Sequence, residues 1–249
     1  MTLAGRVAVV SGAGAPLGHA ISLALARAGA AVGLVGPGAA GGTIQKLAST
    51  GAPSMALPVA LEDRDGTRAA FARVVTALGR LHVAVHSWVP PVALARSPIT
   101  EVGEERWDQV WEATMKATIV FLQAAFAAFG GQQGRIIVVT PTAWARGVPG
   151  LGPYSAAVEG QRLLAKSAAR QWGGQGITVN CVAPAWESVV DADARGEDQD
   201  GSMGPAPAPL GPVDLDADVG AAVVSLAGDG TRGITGATLC VDGGAAMAP

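Results

Sequence analysis

Charge is what this chain has least of. Asp, Glu, Lys and Arg make up 15% of its 249 residues, against roughly 25% in an average soluble domain. A weakly charged chain leaves apolar surface to be covered, and association between subunits is the usual way of covering it. The few charges sum to −3 with a pI near 5.6, which argues against nucleic acid and anionic membrane surfaces as partners. No apolar run reaches the roughly 18 residues of a membrane span. The amino terminus lacks the charged-then-apolar pattern of a secretion signal, so a cytoplasmic protein is expected. Cysteine is also scarce. Cys181 and Cys240 each sit in a strand-like apolar run, which predicts buried, reduced thiols rather than a disulfide framework. No grouping of residues suggests a metal site.

Glycine is abundant, at 35 residues, and with the many Ala and Val it suits close packing of helices on strands. The length fits one α/β domain over 1–249 with a sizeable core. An apolar strand, Arg6–Val10, runs into Ser11-Gly12-Ala13-Gly14-Ala15-Pro16-Leu17-Gly18 and then a helix over about 17–28. A glycine-rich turn between a first strand and a helix is the layout of a dinucleotide site, where amides at the helix start meet the pyrophosphate. Gly12, Gly14 and Gly18 are the candidate cofactor contacts. Pro16 suits a first helical turn but removes one amide and adds a ring. After the second strand, Ala30–Val35, residues 36–42 hold no Asp or Glu for a ribose and no Arg for a 2′-phosphate. A helix over 43–49 and a strand over 54–59 follow. Glu62 and Asp63 read as caps of the next helix, Arg64–Leu78. The fourth strand, Leu81–Val85, leads into His86-Ser87-Trp88-Val89, where His86 reads as a structural or solvent-facing residue rather than a base. A single helical pattern from Glu101 to Phe129 carries Trp107, Val110, Trp111, Met115, Ile119, Leu122 and Phe126 at helical spacing, a stripe that reads as an interface, with the helix that Tyr154 opens as its partner.

The segment Gly134–Trp172 should hold the chemistry. A β-branched strand ends at Thr140, a turn-rich loop follows, and Tyr154-Ser-Ala-Ala-Val158 opens a long helix. A tyrosine at i and a residue at i+4 share one helix face, roughly 6 Å apart along the axis. A lysine at the second position would lower the phenol pKa from about 10 and arm it for proton transfer. Val158 cannot. Arg162 and Lys166 lie roughly 12 and 18 Å further along the axis. Pro141 offers neither a hydroxyl nor an amide N–H.

This strand, loop and helix resemble the active-site segment of the short-chain dehydrogenase/reductase family. The resemblance runs from Arg6 to Gly244: Ser11, Gly12 and Gly18 match its glycine fingerprint, with Pro16 in place of the middle glycine. Gly176–Pro184 matches its sixth strand, and Val241-Asp242-Gly243-Gly244 its last. It implies a doubly wound, Rossmann-like sheet of about seven parallel strands. It also implies a Ser, Tyr, Lys and supporting Asn at Pro141, Tyr154, Val158 and Thr114, of which only Tyr154 is kept. Ala60 stands for an adenine-contacting Asp, and residues 86–89 for Asn-Asn-Ala-Gly. The family's lid falls at 191–209, here acidic and Pro/Gly-rich, hence expected to be mobile.

Losses concentrated on functional positions, beside an intact core pattern, favour a catalytically inactive member. It would support an active homologous alcohol or hydroxyacyl dehydrogenase, with acyl-CoA substrates by analogy, in a hetero-oligomer, and would bind no cofactor. A homo-oligomer is the simpler assembly. Two alternatives stand beside it: a repurposed, cofactor-independent enzyme using Tyr154 for proton transfer, cyclisation or dehydration, and an NAD(P)-dependent oxidoreductase with an atypical active site.

Overall fold

The computed structural model describes residues 2–39, 41–189 and 208–246. Its strands are short apolar runs: β1 (Val7–Ser11), β2 (Ala31–Val35), β3 (Ser54–Leu57), β4 (Val83–His86), β5 (Gly134–Val139), β6 (Ile177–Pro184) and β7 (Thr238–Val241). Every pairing is parallel, in the order β3-β2-β1-β4-β5-β6-β7. β1, β4, β5 and β6 are buried along their whole length, as strands covered by helices on both faces must be. The expected seven-stranded doubly wound sheet is thus the observed one.

The helices are α1 (Pro16–Arg27), α2 (Gly42–Ser49), α3 (Arg64–Leu78), α4 (Glu104–Trp111), α5 (Ala117–Phe129), α6 (Ala143–Arg146), α7 (Gly152–Trp172), α8 (Trp186–Val189) and α9 (Ala221–Ala227). On one face Phe71 of α3 and Phe121 and Phe129 of α5 pack against Ile136, Val138 and Val179. On the other, Leu17, Ile21 and Leu25 of α1 and Val223 and Leu226 of α9 cover Val10, Val32 and Ile137. Full burial of such a side chain stabilises by about 1.5–3 kcal/mol. β1 lies between β2 and β4, so the chain leaves it in opposite directions on its two sides, and a crevice opens above the strand ends there.

Several boundaries moved for identifiable reasons. β3 stops at Leu57 because Pro58 has no N–H to continue the ladder. Asp63 caps α3 as expected, its carboxylate accepting from the Gly66 amide at 3.1 Å. The helix expected over Glu101–Phe129 starts at Glu104 and runs unbroken to Phe129, but it widens in the middle. A wide turn, Glu112–Lys116, joins α4 to α5, with the Ala117 N–H bonded five residues back to the Glu112 carbonyl. Across this turn Val110 and Leu122 face inward, while Trp107 and Trp111 stack outward with ring centroids 6.1 Å apart. Both cysteines are free, but Cys240, on edge strand β7, is only half-buried, against the expectation. Of the segment 191–209, all but the last two residues lie outside the described residues.

Candidate active site

The glycine-rich turn sits at the crevice. Gly12 is in the left-handed region with φ +74°, and a Cβ on it would stand 2.5 Å from the Ser87 carbonyl oxygen. A Cβ on Gly18 would stand 2.4 Å from the Gly12 carbonyl oxygen. The turn and the loop after β4 therefore pack backbone to backbone, which only glycine permits. Gly14 meets Gly38 of the next loop, where its Cβ would lie 3.0 Å from the Gly38 Cα. α1 begins at Pro16, as expected for a first helical turn, and its N-cap residue Ala15 supplies no side-chain cap. Its uncapped first turn fits the pyrophosphate of a dinucleotide.

Beside the glycine turn lies a relay that the sequence did not signal. Thr43 donates its hydroxyl to the Ala13 carbonyl at 2.6 Å and lies 2.7 Å from His19 Nδ1. With the threonine proton spent, Nδ1 must carry the histidine proton, and Nε2 accepts from Lys46 Nζ at 3.4 Å. Burial, then the Lys46 charge, lowers the His19 pKa.

His86 is buried rather than solvent-facing. Its Nδ1 lies 2.9 Å from Ser11 Oγ and its Nε2 3.1 Å from Thr118 Oγ1. Thr118 gives its proton to the Thr114 carbonyl at 2.7 Å and accepts from Gln161 Nε2 at 2.7 Å. Nε2 of His86 must therefore be the protonated nitrogen, and Ser11 donates to Nδ1 while accepting the Ser87 amide at 3.2 Å. Every proton has a place. Burial pushes the His86 pKa down to about 3, so the ring stays neutral, a structural tie rather than a base.

Tyr154 occupies the first turn of α7 and is 1% exposed. It clusters with Ala93, Val110, Leu151, Val158 and Trp186, its ring 5.7 Å from the Trp186 ring. Burial alone raises the phenol pKa. Arg162 does not relieve this. Its guanidinium lies 3.5 Å from the centre of the Trp144 ring, donates to Thr238 Oγ1 at 3.2 Å and pairs with Glu159 at 2.6 Å.

The buried Pro141 is flanked by two hydroxyls that reading position 141 alone passed over. Thr142 accepts the Trp186 amide at 3.1 Å, which leaves its own proton to donate. Thr140 Oγ1 has only the Cys181 thiol beside it, and Trp88 Nε1, Thr114 Oγ1 and Trp144 Nε1 have no partner among the described residues. Buried polar atoms are rarely left so. These indole and hydroxyl atoms belong to the loop after β4, the α4–α5 turn, the end of β5 and α6.

A parallel sheet with a glycine turn at its crossover crevice and a tyrosine heading the helix after β5 defines an oxidoreductase scaffold of the nucleotide-binding class. A family model described as enoyl-(acyl carrier protein) reductase matches residues 12–246. The 3-oxoacyl-[acyl-carrier-protein] reductase of Staphylococcus aureus is 31% identical over 97% of this chain and 98% of its own. A dehydrogenase/reductase structure from Sinorhizobium meliloti superposes with a TM-score of 0.85 at 31% identity, covering 98% of this chain and 96% of that one. A short-chain dehydrogenase from Mycobacterium paratuberculosis, solved bound to NAD, shares the fold at 24% identity, TM-score 0.84, over the full length of both chains. The chain belongs to the short-chain dehydrogenase/reductase family.

These relatives overturn the expectation of a catalytically inactive subunit supporting an active homologue. The proteins that match along the whole length bear the names of working reductases and dehydrogenases. The expectation equated loss of the Ser and Lys at Pro141 and Val158 with loss of chemistry. A phenol held neutral remains a proton donor.

Proposed function

We propose that this chain is a nicotinamide-dependent carbonyl reductase with an atypical active site, in which Tyr154 gives the proton without a lysine behind it. A bound nicotinamide supplies hydride to the carbonyl carbon. The chain's part is to seat the pyrophosphate at Gly12, Gly14 and Gly18, to hold the carbonyl oxygen, and to deliver a proton to it. Thr142, with its hydroxyl proton uncommitted beside Trp186, is the residue best placed to replace the missing serine.

The carrying observation is the buried Tyr154 at the head of α7. With its pKa raised by burial, the phenol is protonated throughout the physiological range, so it serves reduction and not the reverse reaction, which needs a phenolate. The wall of Ala93, Val110, Leu151, Val158 and Trp186 selects an apolar carbonyl compound. Self-association through the outward Trp107–Trp111 stripe would cover the exposed indoles. No helix among the described residues is long and apolar enough to cross a membrane, which accords with a cytoplasmic site of action. The test is fluorescence titration of NADH and NADPH, then turnover on apolar ketones and 3-oxoacyl thioesters. Failure of both nucleotides to bind at millimolar concentration would sink the proposal.

A further inference from the structure

The opposite edge of the sheet, where the strands begin, carries a cleft that the proposed reaction does not use. Its volume is about 280 Å³, and it is walled by Arg6 before β1, Arg80 and His82 before β4, and Gln133 before β5. That approaches the roughly 300–1,000 Å³ of small-ligand pockets.

The donors there are only partly committed. Arg80 gives one N–H to the Gln133 carbonyl at 2.7 Å. Arg6 gives one to the Ala227 carbonyl at 3.5 Å and one to Asp229 at 2.5 Å. A guanidinium has five N–H groups, so most remain free. His82 Nδ1 accepts the Val7 amide at 3.1 Å, which puts the ring's proton on Nε2, on the side of the Arg80 backbone with which the ring also bonds.

The charge is unbalanced as well. Asp229 is the carboxylate paired with Arg6 and also with Arg135, whose NH2 group lies 3.4 Å from it. The Arg6 hydrogen bond holds the Asp229 carboxyl below its usual range, and Arg135 and Arg232 add to this. Arg135 is itself buried, with an Nε that has no partner among the described residues. The cleft itself is lined by two guanidinium groups, Arg6 and Arg80, and by no carboxylate; Asp229 offsets the Arg6 charge from outside it, which leaves the Arg80 charge for an oxyanion to balance.

We propose that this cleft binds a small oxyanion of the phosphate class, either inorganic phosphate or a terminal phosphomonoester, held by Arg6 and Arg80 beside His82. The site is independent of the reductase reaction and stands whether or not that reading does.

The chain's three histidines allow a direct test by proton NMR on the full-length protein. His82 reports on the cleft, His19 on the glycine turn, and His86 on the core. Inorganic phosphate, phenyl phosphate and chloride are titrated at constant ionic strength. Phosphate is expected to shift His82 saturably and to raise its pKa, which burial, Arg80 and Arg6 now depress, because a nearby anion favours the charged ring. Arg80→Gln, at an exposed position, is expected to weaken this binding at least about tenfold, and Arg80→Lys to restore part of it. A tighter response to phenyl phosphate identifies a phosphomonoester ligand, and an equal one identifies free phosphate. A response confined to His19 places the anion at the dinucleotide turn and overturns the proposal. So does a chloride response equal to that of phosphate, or one at His82 that Arg80→Gln leaves unchanged.

Discussion

Two neighbouring regions at the carboxyl ends of the strands are built on opposite principles. The Ser11–His86–Thr118–Gln161 chain is polar, buried and joined from end to end by hydrogen bonds. The Tyr154 region is apolar, yet it is bordered by indole and hydroxyl groups without partners. Continuity marks the first as scaffold, because a buried network so joined rigidifies the core around it. The unmet donors of the second accord with the proposal that carbonyl reduction takes place there.

The sharpest way to break this contrast is Tyr154→Phe. Removing one oxygen should lower carbonyl reduction by about 10²–10⁴-fold and leave thermal stability nearly unchanged, since the ring keeps its packing on Trp186. Unaltered steady-state turnover would place the proton donor elsewhere. Next comes Val158→Lys, which puts an ammonium where the wild-type side chain is wholly buried among apolar neighbours. It is expected to cost about 3 kcal/mol or more in denaturant unfolding. The same charge should favour the phenolate, so the ratio of alcohol oxidation to ketone reduction near pH 8 should rise.

The polar region is tested by acid. His86 titrates at about 3 in the fold and near 6.5 when unfolded, so the unfolded chain binds the extra proton between those values. Its contribution to stability is therefore complete above pH 6.5 and is lost as pH falls toward 3. By linkage it should remove about 2 kcal/mol between pH 7.5 and 5. Unfolding curves of His86→Asn should lack that part of the slope, and identical slopes would refute the buried neutral ring. The smallest effect is expected for Arg162→Gln, which gives up the stacking on Trp144 and should cost about 1 kcal/mol while sparing reduction. A large loss of turnover there would tie Arg162 to Tyr154 after all.

How much of this was legible in the sequence depended on how local the cause was. The α3 boundaries and the Asp63 cap followed from a few adjacent residues. So did the β1 turn at Gly18, which is fixed by its contact with Gly12, whereas the contact of Gly12 with Ser87 needed the fold. Tyr154 and Val158 were legible because a helix places i and i+4 together. The His86 chain was not, since its members come from β1, β4, α5 and α7, and only the folded sheet brings them together. Loss of activity was misread for a related reason. Pro141 was taken as an empty position, but the hydroxyls that border it belong to Thr140 and Thr142, and only the fold shows that Thr142 accepts the Trp186 amide and keeps its own proton.

The wide turn at Glu112–Lys116 holds one residue more than a regular helical turn. A surplus residue rotates all that follows by about 100°, which lets the two indoles look outward while Thr118, on the same rod, looks in at His86. Deleting a single residue there would reset that angle and swing Thr118 away from the imidazole. The outer stripe and the innermost histidine are geared together through that extra step in the helix.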